Sequence, residues 1–250
     1  MNYGEIVSLG RHRLMCGDAT KVEDVKKLIA GEKVDLALTD PPYGMKTQHK
    51  DGRVGGGSLS IYNPISGTMK RYAPKSYPLI IGDDSQETAR KHYEIIKGTA
   101  DKIIMWGGQY FAHFLPISGA WIFWHKKNGN SDFSDGELAW VSHGRRVRYY
   151  EQRWNGMIMA GSCELNGRGK TSRLHPTQKP VELHMNILED YSKENAVILD
   201  CFGGSGTTLI ACEMTGRKCL MMEISPEYCD IIKERYEKTT QQLLIFNEVK

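Results

Sequence analysis

Residues 39–44 read Thr-Asp-Pro-Pro-Tyr-Gly, directly after the apolar run Val34-Asp35-Leu36-Ala37-Leu38. An acid, two prolines and an aromatic therefore stand where a buried strand ends. Proline fixes φ and donates no hydrogen bond to a sheet, so the chain must leave the strand here. The turn that follows can aim a carboxylate and a carbonyl into a cleft. Tyr43 adds a π-face. Asp40, Pro41, Pro42 and Tyr43 are the candidate catalytic residues, suited to gripping a flat, amine-bearing ring beside an electrophile.

A second run, Ala196-Val197-Ile198-Leu199-Asp200-Cys201-Phe202-Gly203-Gly204-Ser205-Gly206-Thr207-Thr208, has the form strand, glycine-rich turn, helix. Glycines at such a turn let the backbone pass close to a ligand. Seventeen residues beyond Gly206 the next apolar run ends at Glu223. An acid there can accept hydrogen bonds from two ribose hydroxyls. Leu209 replaces the third glycine of a dinucleotide fingerprint, and no Gly-Lys-Ser/Thr ending exists, so a phosphate cradle is not expected. A cofactor with adenosine but no pyrophosphate fits better, and S-adenosylmethionine is such a cofactor. Asp200 would meet its amino-acid end.

These motifs need elements to position them. The chain has 250 residues, 40% apolar and 25% charged, as in an ordinary globular protein. Strands are predicted at Arg13–Cys16, Val34–Thr39, Lys102–Trp106, Ala120–Trp124, Ala139–Ser142, Ala196–Cys201 and Lys218–Glu223. Helices are predicted at Val22–Ala30, Glu87–Gly98, Gly108–Phe114, Pro180–Tyr191, Gly206–Thr215 and Pro226–Leu244, the last with Ser225 as N-cap. This alternation predicts an α/β fold with a mainly parallel twisted sheet and helices on both faces. One domain, 1–250, is expected. Within it, glycine- and proline-rich residues 45–78 read as a flexible lid and DNA-contact loop. Residues 126–174 read as a small target-recognition insertion.

No run approaches the roughly 18 apolar residues of a membrane helix, and the N-terminus lacks a signal-peptide core. Cys16, Cys163, Cys201, Cys212, Cys219 and Cys229 form no CxxC pair. They are expected to be reduced thiols of an intracellular protein, with no metal site. The net charge of +3 identifies no partner, but residues 41–78 and 125–180 each carry a local net charge of +5, interleaved with tyrosine, tryptophan and phenylalanine. Basic residues with stacking rings suit nucleic acid. The candidate contacts are Lys46, Arg53, Lys70, Arg71, Lys126, Lys127, Arg145, Arg146, Arg148, Arg168 and Arg173. Solvated loops are the plainer reading of the same composition.

Together, the two motifs resemble those of the DNA amino-methyltransferases, and their order resembles the circularly permuted β class. The resemblance covers most of the chain. It implies a Rossmann-like methyltransferase fold, S-adenosylmethionine as cofactor and double-stranded DNA as partner. It also implies a cytoplasmic setting in a bacterial or phage-infected cell, and it admits a homodimer and a cognate restriction endonuclease. Gly17-Asp18 is similar to the segment whose acid contacts the cofactor adenine. Residues 175–180, with His175 and Lys179, resemble the segment that packs on the methionine moiety. The implied cofactor set is Asp18, Asp40, His175, Lys179, Asp200, Phe202, Gly203, Gly204, Ser205, Gly206, Thr207 and Glu223. Residues 133–140, Phe-Ser-Asp-Gly-Glu-Leu-Ala-Trp, are similar to a run in compact, often phage-encoded members. Cys201 stands where proline is common, and no long separate target-recognition domain is visible.

The implied reaction is methyl transfer to the exocyclic N6 of a flipped-out adenine. Asp40 leans toward adenine over cytosine N4, where serine is commoner. Methylation of RNA or of a protein amide, and an inactive nucleic-acid binder, are the lower alternatives.

Overall fold

In the computed structural model, residues 1–46, 59–63, 68–72, 80–127, 134–153 and 178–248 are described. Eleven strands and five helices occur among them. The strands are β1 (Ile6–Leu9), β2 (His12–Cys16), β3 (Val34–Thr39), β4 (Leu59–Asn63), β5 (Thr68–Tyr72), β6 (Ala100–Trp106), β7 (Trp121–His125), β8 (Gly136–Val141), β9 (Val147–Glu151), β10 (Val197–Asp200) and β11 (Lys218–Glu223). The helices are α1 (Val22–Ile29), α2 (Glu87–Ile96), α3 (Val181–Tyr191), α4 (Thr207–Met214) and α5 (Pro226–Glu248).

Nine strands form one sheet in the order β1-β2-β11-β10-β3-β6-β8-β7-β9. The five from β2 to β6 are mutually parallel, and β8 runs antiparallel to both β6 and β7. Strand period 2 sends alternate residues to opposite faces. Leu36, Leu38, Ile198 and Met221 join a core with α3, α4 and α5. Ala37, Leu199, Leu220 and Met222 join a second core with α1 and α2. Helical period explains the matching stripes: Val25, Leu28 and Ile29 on α1, and Ala89, His92, Tyr93 and Ile96 on α2. The expected α/β sheet with helices on both faces is therefore present.

Four segments differ from the sequence expectation. Residues 108–114 form successive turns, with Tyr110 N–H on Gly107 C=O at 2.8 Å and Phe111 N–H on Gly108 C=O at 3.1 Å. Two glycines at its start and Pro116 beyond it leave too little chain to offset helix nucleation. Strand β1 was missed. It pairs with β2 through the two-residue loop Gly10-Arg11, whose first position needs the positive φ of 56° that Gly10 adopts. Part of the expected lid is ordered into a hairpin, β4 against β5, in a sheet of its own; residues 47–58, 64–67 and 73–79 lie outside the described residues. The described part of 126–174 belongs to the main sheet, because β8 pairs with β6 and β9 pairs with β7.

Among the described residues no helix is long and apolar enough to cross a membrane. The five described cysteines, Cys16, Cys201, Cys212, Cys219 and Cys229, are buried and free.

Leu36 is fully buried at the sheet centre, paired with Ile198 on one side and Lys102 on the other. Leu36→Ala is expected to destabilise the fold by about 2–5 kcal/mol in urea unfolding.

Candidate active site

The chain leaves β3 toward β6 and leaves β10 toward β11, in opposite directions along the sheet. Their carboxyl ends therefore flank a crevice, the switch point where open α/β sheets bind ligands. Asp40 follows β3 and Asp200 ends β10, so both sequence motifs open onto it. A cavity of about 240 Å³ lies there, lined by Asp18, Asp40, Pro41, Pro42, Tyr43, Lys179, Asp200, Phe202, Gly203, Gly204, Ser205, Thr207 and Glu223, among others. One structure thus brings together thirteen of the residues expected from sequence. Gly206 does not line the cavity. Its φ of 81° turns the chain into α4 against Ile232. His175 lies outside the described residues.

The Asp40 side of the crevice is a network of charges. The Tyr43 hydroxyl donates to Asp40 Oδ1 at 2.7 Å. The Lys179 ammonium donates to Asp40 Oδ2 and sits 3.5 Å from the Tyr43 oxygen. Lys179 is 4% exposed and also pairs with Glu137 Oε2 at 3.3 Å. Lys126 holds the other oxygen of Glu137 at 2.5 Å. Burial opposes the charge on Lys179, but Asp40 and Glu137 outweigh it and raise its pKa. Burial likewise opposes the charge on Glu137, yet Lys179 and Lys126 hold it below the usual carboxylate range. Burial, then Asp40, pushes the Tyr43 phenol well above its usual value, so it stays a neutral donor.

Tyr43 is placed by a close approach. Its ring stacks on Tyr110 at 5.1 Å and meets Phe111 edge-on at 6.0 Å. A Cβ on Gly107, whose φ is 73°, would lie 2.4 Å from the Tyr43 ring. After Tyr43 the chain is tied down by Asp83, whose Oδ1 accepts from the N–H groups of Gly44 at 3.0 Å and Met45 at 3.2 Å.

The Asp200 side differs in kind. Asp200 accepts from the Thr208 hydroxyl at 2.6 Å and from Phe202 N–H at 3.0 Å. Glu223 accepts from Gly204 N–H at 2.7 Å and Ser225 N–H at 2.9 Å. Neither has a cation partner among the described residues, and burial raises each pKa to about 7. Asp18 closes a turn by accepting from Thr20 N–H at 2.9 Å and its hydroxyl at 2.7 Å. Phe202 rests edge-on against His92 at 4.9 Å, and His92 is fixed between Ala19 C=O and the Thr39 hydroxyl. Ser205 and Thr207 are held from behind by Arg235, whose Nη1 is 2.8 Å from Ser205 C=O.

The family model for N6- and N4-type DNA methylases matches residues 34–234. The chain belongs to that family. The Type II methyltransferase M.HpaI of Haemophilus parainfluenzae is 25% identical over 90% of this chain and 74% of its own length. The methylase YubD of Escherichia coli is 24% identical over 86% of each. In fold, the chain is similar to the crystal structure of the M1.HpyAVI–SAM complex, with TM-score 0.54 at 18% identity over 89% of this chain and 97% of the other. It is also similar to the cytosine-N4-specific PvuII DNA methyltransferase, with TM-score 0.55 at 15% identity over 97% and 96%. The chain has the methyltransferase fold expected from its motif order.

Sequence reasoning about this methylase missed Gly107, Glu137, Thr208 and His184. The His184 Nδ1 lies 3.1 Å from the Thr208 hydroxyl oxygen, and its other ring nitrogen is buried with no partner among the described residues. Gly107 carried a usable signal as the first of two glycines ending an apolar strand, Thr208 as the end of the glycine motif, and Glu137 as part of the run 133–140. Of the basic residues expected to meet nucleic acid, Lys46, Arg145 and Arg146 are exposed. Lys126 pairs with Glu137, Lys127 with Glu151, and Arg148 with Asp190 at 3.6 Å. Lys70 and Arg71 lie on β5, and Arg53, Arg168 and Arg173 fall outside the described residues.

Gly107→Ala adds a Cβ into the Tyr43 ring at a positive φ. It is expected to destabilise by about 1–3 kcal/mol or more and to shift the tyrosine fluorescence-quenching environment of Tyr43. Unchanged stability in urea would show that Tyr43 does not pack there.

Proposed function

We propose that this DNA methylase transfers a methyl group from S-adenosylmethionine to the exocyclic N6 of adenine in double-stranded DNA. The observation that carries the reading is one crevice with two kinds of carboxylate. Asp200 and Glu223, buried and hydrogen-bonded but without a cation, suit an incoming ammonium and ribose diol. Asp40, at the mouth of β3, suits an incoming amine.

When bound, the cofactor supplies an electrophilic sulfonium methyl. Glu223 would accept from the ribose hydroxyls and Asp200 from the amino-acid ammonium, with Phe202 beside the adenine. Asp18, just past β2, would contact the same ring. The target base must leave the helix to reach Asp40, which takes a few kcal/mol. Stacking against the Tyr43 ring offsets about 1–3 kcal/mol of that. Asp40 accepts one N–H of the amine and the Pro41 carbonyl accepts the other. These bonds aim the nitrogen lone pair at the methyl carbon and stabilise the positive charge that grows on nitrogen. Asp40 then takes the proton that the methylated amine sheds. Exposed Lys46, Arg145 and Arg146 contribute to the phosphate grip.

A cytosine-N4 target is the second reading, favoured by the fold likeness to the PvuII enzyme. Digesting methylated DNA to nucleosides and identifying the product by mass spectrometry separates the two. N6-methyladenine is expected, and N4-methylcytosine alone would refute the adenine assignment. Asp40→Ala is expected to lower transfer by roughly 100-fold or more, with cofactor affinity within about threefold of the parent. Undiminished transfer would remove Asp40 from the reaction.

The raised pKa values set a pH dependence. An acid whose folded pKa lies above its unfolded value stabilises the empty fold at low pH, and that contribution is lost as pH rises through about 7. The cofactor needs both acids ionised, so its affinity should fall as pH drops below about 7. Calorimetry at pH 6 in buffers of different ionisation enthalpy should show release of about one to two protons on binding. Affinity that stays constant from pH 8 to pH 6 would show that these acids do not contact the cofactor.

A further inference from the structure

The run 134–140 contains a carboxylate, Glu137, that does not itself line the cavity. Glu137 is held in place unusually firmly. A Cβ on the preceding Gly136 would lie 2.3 Å from the Phe123 ring and 2.5 Å from Trp124 C=O, so β8 presses directly on β7. Glu137 pairs in register with Trp124, and Trp140, two strand positions beyond Leu138, is pinned by its Nε1 donating to Pro116 C=O at 2.9 Å. What Glu137 faces is the Lys179 ammonium, at 3.3 Å. That ammonium also lies 4.9 Å above the Trp106 ring.

Lys179 poses a problem for the proposed reaction. Its ammonium occupies Asp40 Oδ2, the carboxylate that must accept the target amine. It also places a buried positive charge beside the nitrogen that becomes positive during transfer. A lone ammonium there would oppose both steps. Glu137 supplies a second carboxylate to the same ammonium, and Lys126 fixes Glu137 from the other side. Lys126, Glu137, Lys179 and Asp40 alternate in sign and sum to zero.

We propose that Glu137 is a positioning residue for methyl transfer, holding the Lys179 ammonium when the target amine takes its place on Asp40. In the base-free site Lys179 bridges the two carboxylates and keeps Asp40 oriented. When the amine arrives, its N–H replaces a Lys179 N–H on Asp40, and the ammonium stays with Glu137 over Trp106. The exchange moves hydrogen bonds only. The charge that then forms on the amine meets a carboxylate whose former partner is already neutralised. This rests on the reading of Asp40 as the group that receives the amine.

The test compares Glu137→Gln and Glu137→Asp in the parent and in Lys179→Met. Each is assayed by single-turnover transfer from saturating labelled S-adenosylmethionine to enzymatically amplified, unmethylated genomic DNA. Cofactor affinity by calorimetry and melting temperature are measured alongside. Glu137→Gln should slow transfer by roughly 10- to 100-fold, the size of one unit charge felt from about 6–12 Å away at an effective dielectric of about 20. Glu137→Asp, which keeps the charge, should stay within about threefold, and cofactor affinity should stay within about twofold in both. In Lys179→Met the glutamine substitution should cost less than about threefold, because there is no ammonium left to hold.

Parent-like transfer by Glu137→Gln would overturn the proposal. So would an equal loss in Glu137→Asp, an equal loss in the Lys179→Met background, or cofactor affinity that weakens in step with the rate. If Lys179→Met transfers too slowly to measure, the comparison of glutamine with aspartate decides alone. Asp40→Ala serves as the control. Undiminished transfer there refutes the assignment of Asp40, whereas its loss together with a parent-like Glu137→Gln refutes only the role of Glu137.

Discussion

The pairing of β3 with β10 is the constraint on which the rest depends. These strands lie side by side through Ile198 with Leu36 and Leu199 with Ala37, although 162 residues separate Asp35 from Val197, whose N–H it accepts at 2.8 Å. Because the chain departs from them in opposite directions, a crevice opens between their carboxyl ends. Every other arrangement in the site follows. Asp40 and Asp200 are neighbours in space because their strands are neighbours in the sheet. The glycine turn after β10 lies beside β11 and so meets Glu223, through Gly204 N–H. A pairing shift of one residue would turn Leu36 and Ile198 from one core to the other and dismantle both layers.

What could be read from sequence follows from how far apart the interacting residues are. The two motifs are local: each is a strand, its end and the next turn, so residue types and spacing carry them. The apolar run Val34–Leu38 was legible as a buried strand for the same reason. The pairing of Glu137 was not legible, because its partner Lys179 is 42 residues away and an isolated acid in a strand reads as a solvent-facing one. Short edge strands also escaped. Strand β9 alternates exposed and half-buried residues, with no fully buried position to mark it. A helix was expected at 108–114, but the glycine pair at 107 and 108 serves instead to admit the Tyr43 and Trp121 rings and the Cβ and backbone of Trp140.

Glycine has two distinct roles in this site. At Gly206 it supplies a left-handed turn that no cofactor need touch. At Gly107 it supplies space, since the Tyr43 ring occupies the volume a side chain would take. The second role joins β6 to the motif after β3, so the aromatic of that motif is positioned by the neighbouring strand as much as by its own prolines. Tyr43 is therefore held on three sides, by Gly107, Tyr110 and the Asp40 carboxylate.

Four of the carboxylates in or beside the crevice, Asp40, Glu137, Asp200 and Glu223, are sorted by environment, and the sorting matches the tasks proposed for them. Asp200 and Glu223 receive only neutral donors, so burial dominates and each binds its proton up to about pH 7. Such groups gain most from a ligand that brings its own positive charge or several hydroxyl donors. Asp40 and Glu137 share a buried ammonium instead, and Glu137 stays ionised despite its burial. In the proposed reaction Asp40 must meet a developing cation, and its resident counter-ion orients it before the substrate arrives. Environments that separate titrating groups in this way are how one fold assigns them different chemistry. A resident cation has a drawback, because it competes with the incoming amine. In the proposed reaction a second carboxylate on that cation removes the drawback. The alternation from Lys126 to Asp40 is thus, in the proposed reaction, a set of charges that keeps Asp40 oriented when empty and accessible when the base enters.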